Sequence, residues 1–152
     1  MSCTNEAERI IKLDRSIEEK IKLLCELVRE IPYQVLDSYD PSYMVEKGAG
    51  SCTPKHIFLA EYLKKIGVPV TFLIVSFHYK NSDIKFPESK QELINSLPLS
   101  YHTALQVEIK GKDVLVDVTW DSKLKGFPIN DDWDGESDMR LAVNPEEIVE
   151  TS

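Results

Sequence analysis

Long apolar runs are absent from this sequence, and basic residues are in the minority. No stretch approaches the ~18 apolar residues that a membrane-spanning helix needs, and the charged N-terminus has no signal-peptide core. Eighteen Lys and Arg stand against 26 Asp and Glu, which gives a formal net charge of −8. This negative balance disfavours both nucleic acid and membrane surfaces as the main partner.

Cysteine is also scarce, with only Cys3, Cys25 and Cys52. Their spacings match no C-x-x-C redox or zinc pattern, and an odd number of cysteines cannot all pair internally. We therefore expect free thiols in a reducing, cytoplasmic location, with no metal and no cofactor. Cys25 falls on the apolar side of a helical pattern and is expected to be buried.

The chain of 152 residues, 42% of them hydrophobic, is long enough to form one domain around a real core. Ser16 and Glu19 form a capping box that predicts a helix over about 16–31, ended by Pro32. We place the core of the domain at about 32–121. Residues 80–100 are polar and look like an insertion between strands, able to lie over a site as a lid.

The segment 122–152 is acidic and irregular. Asn130, Asp132, Asp134 and Gly135 match the first half of an EF-hand calcium loop, but Leu141 stands where that loop needs its bidentate glutamate. A solvated acidic loop explains the same residues without a metal, and we favour it.

The run from Gly50 to His56 places Cys52 where a helix over about 53–66 begins, behind a glycine turn. Unpaired backbone N–H groups and the helix dipole favour a thiolate at such a position. A lone cysteine in a small protein is more often a buried hydrophobic residue, but the glycine turn favours exposure. Cys52 is therefore the candidate nucleophile.

His102 and Asp117 lie on two predicted strands, 101–109 and 114–119, joined at Lys110-Gly111. A two-residue turn places both side chains on the same face of the sheet, whereas a shift of one residue would separate them. Asp117 stands in a run of Val and Leu, where a buried carboxylate is costly unless it is paired. We predict that Cys52, His102 and Asp117 form a nucleophile, an oriented base and its partner.

Other residues near Cys52 are candidates for supporting roles. Its own backbone N–H is the expected first oxyanion donor, and Gln34 or Tyr33 is the candidate second donor. Ser51 and His56 are candidate pocket residues. His56, one helical turn after Cys52, could instead act as a base, bind a metal or pack beneath the site. Lys55 is expected to be a solvated helix residue.

At these residues the chain resembles the transglutaminase-like superfamily, the papain-related group of Cys-His-Asp proteins. The resemblance covers about 32–121 and rests on Gly50-Ser51-Cys52, Tyr101-His102-Thr103-Ala104 and Val116-Asp117-Val118-Thr119. The Ser-Cys-Thr-Pro-Lys-His wording is similar to a small microbial branch of unassigned substrate. The resemblance implies an α+β fold in which the cysteine-bearing helix packs on an antiparallel sheet.

It also implies thioester chemistry on a peptide, a protein or a small amide or ester. The leading hypothesis is a cysteine hydrolase or acyltransferase that needs no cofactor. A non-catalytic binding module of the same fold is the first alternative, and acyl transfer of the arylamine N-acetyltransferase type is the second. The sequence leaves the oligomeric state open.

Overall fold

Three helices precede the cysteine in the computed structural model, which describes residues 2–151. They are α1 (Cys3–Ile11), α2 (Ile17–Arg29) and α3 (Pro41–Lys47). Ser16 caps α2 as predicted, since its hydroxyl accepts the Glu19 N–H at 3.1 Å. The helix α1 precedes the first helix that the sequence analysis placed, which begins at Ser16.

The cysteine-bearing helix α4 (Cys52–Lys65) leads directly into the sheet. The strands are β1 (Val70–Phe77), β2 (Ser100–Ile109), β3 (Lys112–Val116) and β4 (Glu147–Thr151). All pairings between these four strands are antiparallel, and their spatial order is β3-β2-β1-β4. The sequence did not predict β4, which lies in the segment taken to be irregular.

The hairpin β2–β3 has the register on which the predicted site depends. Ile109 pairs with Lys112, and both central turn residues, Lys110 and Gly111, have positive φ of 52° and 77°. Two positive φ values in a two-residue turn match the right-handed twist of the strands. The turn thereby fixes which side chains share a face of the sheet.

Each face of the sheet supports a separate apolar cluster. On one face, α4 packs on β2, and the alternating residues Leu105, Val107 and Ile109 of β2 join α1, α2 and α4 in a single cluster. On the other face, Val75 and Phe77 pack against Trp120, Ala142 and Val143. Ala142 and Val143 therefore anchor the segment after residue 121 to the core, although most residues of that segment are exposed.

The insertion between β1 and β2 contains short helical pieces. Single turns of 3₁₀ helix span Tyr79–Asn81 and Glu88–Lys90, and α5 spans Gln91–Ser96. Ile84 is buried in the cluster of the second face, and Asn144 donates to the Asn81 carbonyl at 2.7 Å. Across residues 2–151, no helix combines the length and the apolarity needed to cross a bilayer.

Candidate active site

The backbone around Gly50 fixes the start of α4. The Gly50 N–H donates to the Pro32 carbonyl and the Gln34 N–H donates to the Gly50 carbonyl, both at 3.0 Å. A Cβ at Gly50 would lie 2.5 Å from Sδ of the buried Met44, so only glycine fits this turn without movement. The turn delivers Cys52 as the first residue of α4, at a helix end with unpaired N–H groups.

The thiol of Cys52 differs electrostatically from the other two thiols. Burial raises the pKa of Cys52, whereas the hydrogen bond and charge of His102 and the backbone N–H of Thr103 lower it. The lowering effects are together the larger, so the pKa of Cys52 is below that of an ordinary thiol. Burial raises the pKa of Cys3 to about 11 and that of Cys25 higher still. Of the three, Cys52 alone is electrostatically prepared to be a thiolate.

The predicted base and its partner are in contact. His102 Nε2 lies 2.7 Å from Asp117 Oδ2, and both residues are buried. Burial alone would lower the pKa of His102, but the charges and hydrogen bonds of Asp117 and Cys52 raise it to about 10. Because Nε2 faces Asp117, Nδ1 is the ring nitrogen that remains for the sulfur of Cys52.

Four donors hold the Asp117 carboxylate in its ionised form. Besides His102, Oδ2 accepts the Ala142 N–H at 2.7 Å, and Oδ1 accepts the N–H and hydroxyl of Thr119 at 3.1 and 2.5 Å. Burial would raise the pKa of Asp117, yet the charge and hydrogen bond of His102, with the Thr119 hydroxyl, hold it well below the usual range. The sequence predicted the need for a partner, but a backbone donor such as Ala142 leaves no signature in sequence.

The first turn of α4 fills a gap between two diverging strands. The β2–β3 ladder stops at Leu105 and Val116, before it reaches His102. Within the gap, the Thr53 hydroxyl on α4 bonds to the Thr103 hydroxyl on β2 at 3.1 Å. This divergence lets a helix residue meet side chains from both strands.

His56 lies beneath the site with both ring nitrogens occupied. Nε2 accepts the Val118 N–H at 3.0 Å, so Nδ1 carries the proton and donates to the Cys52 carbonyl at 2.8 Å. Burial lowers the pKa of His56 to about 4. A neutral ring with no free nitrogen cannot be a base or a metal ligand, and of the roles considered for His56, packing beneath the site fits this geometry.

Lys55 is buried, and the prediction of a solvated residue was wrong. Its Nζ donates to the carbonyls of Arg29, Ile31 and Thr119 at 3.0, 2.9 and 2.8 Å. Burial lowers the pKa of the ammonium to about 8, with opposition from Asp121 and other nearby carboxylates, so the group is charged at neutral pH. Lys55 thus connects α4 to the end of α2 and to Thr119, two residues after Asp117.

The loop that carries the candidate second oxyanion donors lies alongside the turn before Cys52. Tyr33 forms a parallel bridge with Gly50, its N–H donates to Asp121 at 2.8 Å, and its ring packs edge-on against Trp120. Burial, with the nearby Cys52, raises the pKa of Tyr33 far above its usual value. Gln34 is exposed.

Ser51 is the buried N-cap residue of α4, and its side chain makes no capping bond.

Metal ligation finds no support in the side-chain clusters. Among residues 2–151, no group of three or more His, Cys, Asp or Glu is arranged to hold a metal ion. In the calcium-like segment, Asp134 accepts the N–H groups of Glu136 and Ser137, and the Asn130 amide donates to the carbonyls of Asp117 and Arg140. These polar groups hold the loop around Asp117.

Comparisons with known proteins support the fold. No family model and no curated protein matches the sequence. Among solved structures, a candidate cysteine protease from Cytophaga hutchinsonii superimposes with a TM-score of 0.51 at 10% identity, over 99% of this chain and 49% of that one. Arylamine N-acetyltransferases from M. smegmatis and M. tuberculosis give TM-scores of 0.47 and 0.46 at 18% and 17% identity.

The two acetyltransferase matches cover 72% and 76% of this chain, and 43% and 46% of those proteins. The chain therefore spans about half the length, or somewhat less, of each structure it matches. The α+β fold with the cysteine helix packed on an antiparallel sheet is confirmed.

Proposed function

We propose that this protein is a transglutaminase-like cysteine hydrolase or acyltransferase that acts on an amide, peptide or ester through a thioester on Cys52. One observation carries the proposal: a buried His102–Asp117 pair lies beside a partly exposed thiol whose pKa is lowered by His102. Burying an ionised imidazole and a carboxylate costs free energy. Such a pair beside a thiol with a lowered pKa is typical of a catalytic site.

In the acylation step, the Cys52 thiolate attacks the substrate carbonyl carbon and its π electrons move to oxygen. The Cys52 backbone N–H, free at the first position of α4, donates to this oxyanion. The exposed Gln34 side chain is the proposed second donor, since its loop pairs with the turn before Cys52. The C–N or C–O bond then breaks as His102 gives its proton to the leaving group.

In the second step, water or an amine resolves the thioester. Neutral His102 removes a proton from the attacking group, the C–S bond breaks, and the thiolate–imidazolium pair forms again. Asp117 fixes the ring orientation and stabilises the imidazolium in both steps. The cycle requires no cofactor, and a reducing compartment such as the cytoplasm would keep the thiol available.

Alkylation by iodoacetamide tests this proposal. The rate at each cysteine is followed at pH 7 by peptide mass spectrometry of the folded protein. We expect Cys52 to react at least about 100-fold faster than Cys25, because burial keeps Cys25 protonated and inaccessible. His102→Ala removes the activating imidazolium and should slow Cys52 by about tenfold or more.

His78→Ala is the matched control. His78 also pairs with a carboxylate, Glu146, at 2.6 Å, but this pair is not buried. We expect that variant to leave the Cys52 rate unchanged. Similar rates at Cys52 and Cys25, or no effect of His102→Ala, would favour the non-catalytic binding module instead.

A further inference from the structure

One part of the sheet in front of the catalytic helix is uncovered. Helix α4 begins over Thr103, where Thr53 bonds to it. It runs towards the far end of β2, because the Pro69 carbonyl just after the helix accepts the Glu108 N–H at 3.1 Å. The residues of β2 that precede Thr103 therefore extend beyond the helix start, where α4 does not cover the sheet.

This uncovered area forms a shallow hollow of about 100 Å³. The register aligns Tyr101 with Ser76 and Glu147, one row beyond Thr103, Ile74 and Val149. The two rows are about 7 Å apart, since strands rise about 3.4 Å per residue. The hollow is lined by Ile74, Ser76, Leu99, Tyr101, Glu147 and Val149.

The lining is mainly apolar and unusually exposed for side chains of this size. Leu99 is 42% exposed, Tyr101 68% and Val149 48%. Glu147 contributes the only charged side chain of the lining. A concave, mainly apolar surface with a few polar groups is typical of sites that bind small ligands.

Thr103 lies between the hollow and the thiol, because it pairs with Ile74 of the lining on the neighbouring strand. The Thr103 backbone N–H lowers the pKa of Cys52, and its side chain bonds to the residue that follows Cys52. Cys52 and the hollow therefore contact the same residue, Thr103, from two sides, which makes the hollow the candidate site for an acyl group on the sulfur.

We propose that the hollow binds the acyl portion of the substrate and selects short, uncharged apolar groups. Its volume equals about three water molecules at about 30 Å³ each, enough for a chain of three or four carbon atoms. Glu147 disfavours anionic acyl groups by like-charge repulsion. This inference rests on the proposed thioester function and adds the class of acyl group.

Activated esters test the inference directly. 4-Nitrophenyl acetate and butyrate each acylate Cys52: the C–S bond forms, the ester C–O bond breaks and 4-nitrophenolate leaves. Rates are measured from the nitrophenolate burst, confirmed by intact mass, and divided by those of a free thiol to remove intrinsic reactivity. Two fully buried methylene groups would be worth about 15-fold, and we expect about fivefold for butyrate because the hollow is open to solvent.

The edge strand β4 supplies a matched pair of variants. Val149→Asp places a charge in the hollow, whereas Ile148→Asp places it at the adjacent residue of similar exposure on the opposite face. We expect Val149→Asp to reduce the butyrate preference to less than twofold and Ile148→Asp to retain it. Both variants should keep the wild-type rate with iodoacetamide, which has no acyl chain.

The outcomes separate this inference from the function on which it rests. A normal iodoacetamide rate without a butyrate preference, or a preference that Val149→Asp leaves unchanged, would overturn the assignment of the hollow alone. If iodoacetamide alkylated Cys52 no faster than Cys25, both proposals would be overturned. If Val149→Asp changed only the oligomeric state in size-exclusion chromatography, the hollow would be an interface between copies.

Discussion

Replacement of Lys55 by methionine tests whether a buried ammonium holds the site together. Lys55 is completely buried, and its three hydrogen bonds connect α4 to Arg29, Ile31 and Thr119. Methionine fills a similar volume but donates nothing, so three carbonyls lose a donor. Each unsatisfied buried group costs about 1–3 kcal/mol, and removal of the ammonium's desolvation penalty offsets part of this.

We therefore expect Lys55→Met to lower the free energy of unfolding by about 3 kcal/mol and Tm by about 9 °C. Urea denaturation at pH 7 measures the first quantity and thermal denaturation the second. Lys64→Met is the control, because Lys64 is exposed and its Nζ lies 5.5 Å from the Phe72 ring centroid. Its effect should stay within about 0.5 kcal/mol. If Lys55→Met were as stable as the wild type, the ammonium would contribute no net stability.

Three further perturbations address the parts of the site separately. Gly50→Ala should cost about 1–2 kcal/mol in urea denaturation, because its Cβ would overlap Met44 Sδ, and the same change made in a Met44→Ala background should cost much less. Asp117→Asn removes the charge that raises the His102 pKa, so Cys52 alkylation at pH 6 should fall about tenfold or more; an unchanged rate would show that the carboxylate is dispensable. The folded-state pKa of His56 is about 4, below its unfolded value of about 6.5. The stability supplied by the neutral ring is therefore present above pH 6.5 and is lost as the pH falls towards 4, by about 2.5 kcal/mol between pH 7.5 and 4.5. His56→Gln should lack this loss, and an equal loss in the variant would refute the assignment.

The sequence predicted the elements whose signals are local. The capping box at Ser16, the glycine turn before Cys52 and the two-residue turn at Lys110-Gly111 each restrict the backbone within a few residues. The last of these sets the register, and the register places His102 and Asp117 on one face. The alternation of apolar and polar residues, together with the turn, was thus enough to predict that His102 and Asp117, fifteen positions apart, lie on the same face.

Features that depend on distant backbone atoms could not be predicted. Lys55 looks like an exposed helix residue, since the carbonyls that bind it belong to α2 and to Thr119. The Ala142 N–H reaches Asp117 from a segment whose composition indicated only an acidic loop. Strand β4 has exposed side chains and is held by its backbone pairing with β1, so it lacks the apolar alternation that reveals other strands.

Ultraviolet absorbance of the thiolate, titrated from pH 4 to pH 10, tests the thiolate–imidazolium pair most directly. The signal of Cys52 is obtained by subtracting a Cys52→Ser variant from the wild-type protein. We predict that the thiolate band of the wild type appears at a lower pH than that of an ordinary thiol, whose pKa is about 8.5. We also predict that His102→Ala moves the appearance of the band to higher pH. A band that first appears near pH 8.5 in the wild type, with no change in His102→Ala, would contradict the account.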